Sequence, residues 1–162
     1  MATITARAGK PTIPGEVRWY PMAVSQTFEK GEFVYLSSVG QLTVCTADPA
    51  GICGMAMCGA EEASAGAATT NVACPVTLAK RGQQFTLHIC NGASTLATAN
   101  AQVGNQCGLY VASNIHYADY GDRSNKRFVI DDIGNEDVVG DTTGRVIVEV
   151  IKGYAQLDQS TS

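Results

Sequence analysis

Charge is scarce in this 162-residue chain: Asp, Glu, Lys and Arg together make up 16% of it, against about 25% in an average soluble domain. Ala, Gly, Thr and Ser take their place, which suits a surface that meets protein better than one kept in water. The formal net charge is -4, and the cations are scattered. The chain therefore has no basic stripe to displace counterions from a phosphate backbone, and nucleic acid is excluded as an expected partner. No apolar run approaches the roughly 18 residues of a membrane span, so no membrane role is expected. The opening MATITARAGK has no apolar signal core, which predicts synthesis in the cytosol.

Catalytic groups are equally sparse. There are two histidines, His88 and His116, and neither stands beside a carboxylate or cysteine in a nucleophile arrangement. Both are expected to be surface or partly packed imidazoles. Neither GxGxxG nor GxxxxGK[ST] occurs, so the 17 glycines read as turn residues and not as a phosphate cradle. The six cysteines, Cys45, Cys53, Cys58, Cys74, Cys90 and Cys107, contain no CxxC pair and have small or apolar neighbours. They are expected to be reduced and buried rather than bridged or zinc-bound. Asp131, Asp132, Glu136 and Asp137, followed by Asp141, are the one place where a hard cation would find oxygen ligands. Their spacing does not match an EF-hand, and a solvated loop is the expectation. No enzymatic activity and no cofactor are expected.

What the chain does have is β pattern. Residues 1–20 carry Pro11 and Pro14 with Gly9 and Gly15, just before Pro21, and read as an extended N-terminal arm. That arm also holds Ile4, Ile13, Val17, Trp19 and Tyr20, too apolar for a segment that stays in water. These five are the candidate docking residues, with Trp19 as anchor. If Val17 to Tyr20 instead form the first strand of the domain, Trp19 supports stability.

From Phe28 onward, short β segments alternate with turns. EFVYL and QLTVC flank Ser37-Ser38-Val39-Gly40 as a hairpin. GICGMAMC gives a further apolar run, and EEASAGAATT an exposed loop. NVACPVTLA, QFTLHIC, CGLYVAS, KRFVIDD and GRVIVEVIKGY read as strands, with Phe85, Leu87 and Ile89 facing in and Thr86 and His88 facing out. STLATANAQVGN could hold one helical turn. About eight to ten short strands with no long helical period predict an all-β fold, a small single-domain β-barrel or sandwich at 21–155, followed by a polar C-terminal tail at 156–162.

The order of these segments resembles bacteriophage head decoration, or capsid cement, proteins. Phe28-Glu29-Lys30-Gly31-Glu32-Phe33-Val34-Tyr35-Leu36 followed by Gly40-Gln41-Leu42-Thr43-Val44 is similar to the family's opening strand and G-x-[LV] hairpin. Val103 to Tyr110 is similar to its IGTxYGL element, and Val138 to Val148 to its closing VGDxxGRVLV hairpin. The six cysteines and the proline-containing arm depart from the family pattern. The resemblance, over residues 28–151, implies a small barrel, often trimeric, that binds the major capsid protein lattice on the virion surface without cofactor or turnover.

A homotrimer is expected, because exposed β-branched positions on a low-charge domain leave surface for self-association. The alternative is a carbohydrate- or receptor-binding virion module using Tyr110, Tyr117 and Tyr120 near Asn114 and Asp119. A trimeric β-barrel nucleotide hydrolase ranks last, since no arrangement of metal-holding carboxylates and phosphate ligands is visible.

Overall fold

A computed structural model describes residues 7–60, 73–134 and 138–157. Ile4, the loop EEASAGAATT, Glu136 and Asp137 lie outside the described residues. The fold is all-β, with twelve strands among the described residues: β1 (Lys10–Pro11), β2 (Val17–Pro21), β3 (Phe33–Leu36), β4 (Leu42–Val44), β5 (Gly54–Ala56), β6 (Ala73–Leu78), β7 (Phe85–Asn91), β8 (Ser94–Thr95), β9 (Gln106–Ala112), β10 (Ile115–Asp119), β11 (Phe128–Ile133) and β12 (Arg145–Val150). The segment expected to hold a helical turn contains a 3-10 turn at Asn100–Gln102.

The strands form two sheets. In the first, pairing runs β7-β10-β9-β11-β12 and returns from β12 to β7, so five strands close a ring, and β1 and β8 attach to β7. Only β7 with β10 is parallel in that ring. The second sheet is antiparallel in the order β2-β6-β5-β3-β4.

Alternation along the strands produces two cores. Phe33 and Met55 of the second sheet point at the ring and join Phe85, Leu87, Leu109, Phe128, Ile130, Val146 and Val148 in the larger one. Phe33 is its centre, with ring centroids 5.2 Å from both Phe85 and Phe128. Such aromatic contacts add about 0.5–1.5 kcal/mol each beyond area burial. The opposite face of the second sheet carries Val34, Leu42, Cys74, Val76 and Leu78 and is covered by Met22 and Phe28.

Three sequence expectations are corrected. First, over its described part the segment read as a free arm is built into both sheets. Lys10 and Pro11 pair with Thr86 and Phe85, and Val17 to Pro21 pair along Thr77 to Ala73. The prolines permit this because β1 and β2 are edge strands, where a missing N–H is tolerated. The strand reading of Val17 to Tyr20 is therefore the one the structure adopts. Second, β7 is buried on both faces, with Thr86 and His88 only 6% and 2% exposed. The N-terminal segment lies along it: the Thr12 and Thr86 hydroxyls are 2.9 Å apart, and the Arg7 amide donates to His88 Nε2 at 2.8 Å. Third, the chain stays docked past 155. The Gln156 side chain accepts from the Leu36 N–H and donates to the Leu36 carbonyl, at 2.8 and 3.0 Å, and Leu157 packs on the second core.

Candidate interaction surface

Strand β2 is the edge of the second sheet, and its register explains what it presents. The Leu78 N–H donates to the Glu16 carbonyl at 2.9 Å, which sets Arg18 and Tyr20 at the positions bonded to β6. Alternation then turns the main-chain groups of Val17 and Trp19 away from the sheet. Their side chains continue an interior row, since Phe33 is opposite Met55, Met55 opposite Thr77, and Thr77 opposite Val17. Phe33, Met55 and Thr77 are buried, whereas Val17, at the outer end of the row, is 46% exposed and Trp19, in the next row, 66% exposed. An apolar overhang thus extends past the core along a strand edge that pairs with no other strand among the described residues, a feature folded proteins usually cover or charge.

Of the predicted docking residues, Ile13, Val17 and Trp19 are exposed. The Ile13 carbonyl is held by Gln83 Nε2 at 3.0 Å, which fixes the approach to β2. Tyr20 does not share this surface: it lies opposite Cys74 and packs on the second core. Beside the overhang, Glu16 accepts from Arg18 at 2.8 Å and Lys80 at 2.7 Å. These cations, Lys80 foremost, hold its carboxyl below the usual range, giving the apolar strip a charged, solvated rim.

Elsewhere the structure brings together groups that the sequence left apart. Both histidines are buried, contrary to expectation. His116 is fully enclosed; its Nδ1 accepts the Phe33 N–H at 3.0 Å, which leaves the ring proton on Nε2. Nε2 stands 3.2 Å from Glu32 Oε1 but lacks hydrogen-bond alignment, so the contact is electrostatic. Glu32 Oε2 accepts the Glu29 N–H at 2.6 Å. The pair joins the β3 hairpin to β10. His88 is held below its ordinary pKa, chiefly by burial.

All six cysteines are free thiols, five buried and Cys58 half-buried. Burial pushes Cys53, Cys74, Cys90 and Cys107 up to about 12, and Cys45 further still, so these five are not thiolate nucleophiles at neutral pH.

The acidic positions are separately engaged. Asp131 accepts from Gln84 Nε2 at 3.1 Å and Asp141 from the Val138 N–H at 3.2 Å. Among the described residues no group of three or more potential ligands could hold a metal.

Tyr110 and Tyr117 are cross-strand partners with rings 6.1 Å apart. They line a cavity of about 310 Å³ with His88, Cys90 and Thr143. Tyr120 is elsewhere, under the Arg123 guanidinium at 4.7 Å. The Asp119 carboxylate is occupied by the Gly92 and Gly121 N–H groups.

Comparison with protein families, curated proteins and solved structures found no match to this chain.

Proposed function

We propose that this chain is a non-enzymatic virion structural protein that decorates and stabilises a bacteriophage capsid by binding the major capsid protein lattice. The observation that carries the reading is the β2 edge. The only tryptophan of the chain stands 66% exposed beside Val17 on a strand edge that is unpaired among the described residues. An aromatic anchor ringed by polar groups is the kind of residue that dominates protein interfaces, and an open edge can add a partner strand through main-chain hydrogen bonds. Five of the six thiols are buried and protonated at neutral pH, and His88 Nε2 and His116 Nδ1 each accept a main-chain N–H, an arrangement that favours a binding role over nucleophilic catalysis by these groups. The order of strands and turns from Phe28 to Ile151 resembles capsid cement proteins and supplies the choice of partner.

The test is direct. Purified chain mixed with undecorated shells of the major capsid protein encoded in the same genome should co-sediment at saturable stoichiometry and raise the shell's disruption temperature. Absence of binding refutes the reading. Self-association as a homotrimer belongs to the same proposal; light scattering at micromolar concentration should give three chain masses, and a monomer both free and on the shell would remove it.

One observation favours a second reading, a carbohydrate-binding or receptor-binding virion module. The Tyr110 and Tyr117 rings border a cavity that also has Ser94, Thr95 and Thr142 in its wall, an aromatic ledge with hydroxyls at hand. Glycan-array binding that disappears in Tyr117→Ala would establish it, and a silent array would dismiss it.

A further inference from the structure

We infer that Cys58 and Cys74 form a disulfide-forming pair, a cross-strand staple that closes when the reduced protein meets a small-molecule disulfide. Main-chain pairing between β5 and β6 brings the two cysteines together. Ala56 lies opposite Val76, so continuing the antiparallel ladder sets Met57 opposite Pro75 and Cys58 opposite Cys74. The Met57 N–H donates to the Pro75 carbonyl at 2.9 Å, which makes that position the hydrogen-bonded one. The bend that follows β5 then brings Cys58 beside Cys74.

The side chains agree with the backbone. The two Sγ atoms are 3.1 Å apart, and reaching the about 2.05 Å of a bonded pair asks for a movement of roughly 1 Å. Cys58 is half-buried and Cys74 fully buried, which gives the two thiols different tasks. Cys58 is reachable from solvent. Cys74 is enclosed with its Sγ against that of Cys58, and its burial disfavours the thiolate needed for attack on an external disulfide.

The sequence of bonds follows. The Cys58 thiolate attacks one sulfur of a low-molecular-weight disulfide RSSR, forming Cys58–S–S–R and releasing RS⁻. Cys74 then gives up its proton to solvent and attacks Cys58 Sγ, forming Cys58–S–S–Cys74 and releasing the second RS⁻. The two protein thiols are oxidised, one disulfide is reduced to two thiols, and the two protons lost by the protein are available to the two leaving thiolates. The bridge would tie β5 to β6 across a sequence separation of 16 positions and restrict the unfolded chain. The chemistry is independent of the virion reading; within that reading, the oxidising milieu is met when particles leave the host cytosol.

The experiment starts from protein purified under reducing conditions and exchanged into oxidised glutathione at mildly alkaline pH. Denatured samples should titrate six thiols before treatment and four after it, and peptide mapping should place the bridge between Cys58 and Cys74. The melting temperature of the bridged protein should rise by about 5–10 °C. Cys74→Ala should stop at a glutathione adduct on Cys58, and Cys58→Ser should show neither bridge nor adduct at Cys74. The wild-type readouts do not depend on either variant folding. Six thiols after treatment, a bridge between other cysteines, or a melting temperature that fails to rise overturns the inference.

Discussion

Replacing His116 by Phe keeps an aromatic ring of similar volume in the core and removes both ring nitrogens, so it isolates what the imidazole contributes by polarity. His116 is fully buried, stacks on Phe33 with centroids 5.9 Å apart, and accepts the Phe33 N–H at 3.0 Å. In the variant that buried amide has no partner, a loss of about 1–3 kcal/mol. Glu32, 2% exposed, also loses the Nε2–H group at 3.2 Å and keeps only the Glu29 N–H. The imidazole is neutral and its Nε2 lacks hydrogen-bond alignment to Glu32, so loss of that dipolar contact adds about 1 kcal/mol at most. Together the substitution should destabilise by about 2–4 kcal/mol, which for a chain of this size lowers the melting temperature by roughly 5–15 °C. Urea unfolding followed by circular dichroism reads the free energy. Because the two sites share one contact, adding Glu32→Gln to His116→Phe should cost less than the sum of the single changes. A His116→Phe loss below about 1 kcal/mol, within the range of ordinary surface substitutions, would refute the reasoning.

Glu149 is raised above its ordinary value of 4.5, first by a hydrogen bond shared with Asp131 and then by burial. The folded state thus holds this proton to higher pH than the unfolded chain, so the associated stability is present at acid pH and is lost as pH rises from 4.5 through the folded value. Glu149→Gln keeps an oxygen for the Gly82 N–H, now 2.9 Å from Glu149 Oε1, and should flatten that decline in melting temperature against pH; parallel curves for the two proteins would contradict it. Gly31 has φ +94°, and an added Cβ would meet the Gly9 carbonyl oxygen and the Ala8 Cβ. Gly31→Ala should therefore cost about 2–4 kcal/mol, whereas Gly40→Ala, at φ +76° with open space around it, should cost about 1 kcal/mol. Equal losses in thermal unfolding would mean that the N-terminal segment is not packed on the β3 hairpin.

How far the fold was legible depended on the range of each signal. The β3–β4 hairpin could be read directly, because its turn carries Gly40 in the left-handed region between two apolar runs. The β10 strand escaped because its hairpin turn uses Ser113 and Asn114 at φ 50° and 60°, without the glycine that usually marks such a turn. Alternation in β7 correctly assigned Phe85, Leu87 and Ile89 to the core. It could not reveal that Thr86 and His88 would be covered by Thr12 and Arg7, more than seventy positions away. The same limit hid the Glu32–His116 contact, which joins the residue just before β3 to a strand of the other sheet. Of the candidate surface, composition alone singled out Ile13, Val17 and Trp19. Which face of β2 each occupies, and hence the removal of Tyr20 from the set, follows from pairing with β6.

The β2 edge is tested most directly by Trp19→Lys. Lysine is well tolerated on an open strand edge and opposes strand addition there. With about a third of the indole covered, its loss should cost the free protein no more than about 2 kcal/mol. Co-sedimentation of wild type and variant with undecorated shells, beside melting curves of the free proteins, separates docking from folding. Shell affinity should fall at least about 30-fold, as loss of a hot-spot residue entails, with the fold retained. A variant that folds and binds shells as tightly as wild type would contradict it.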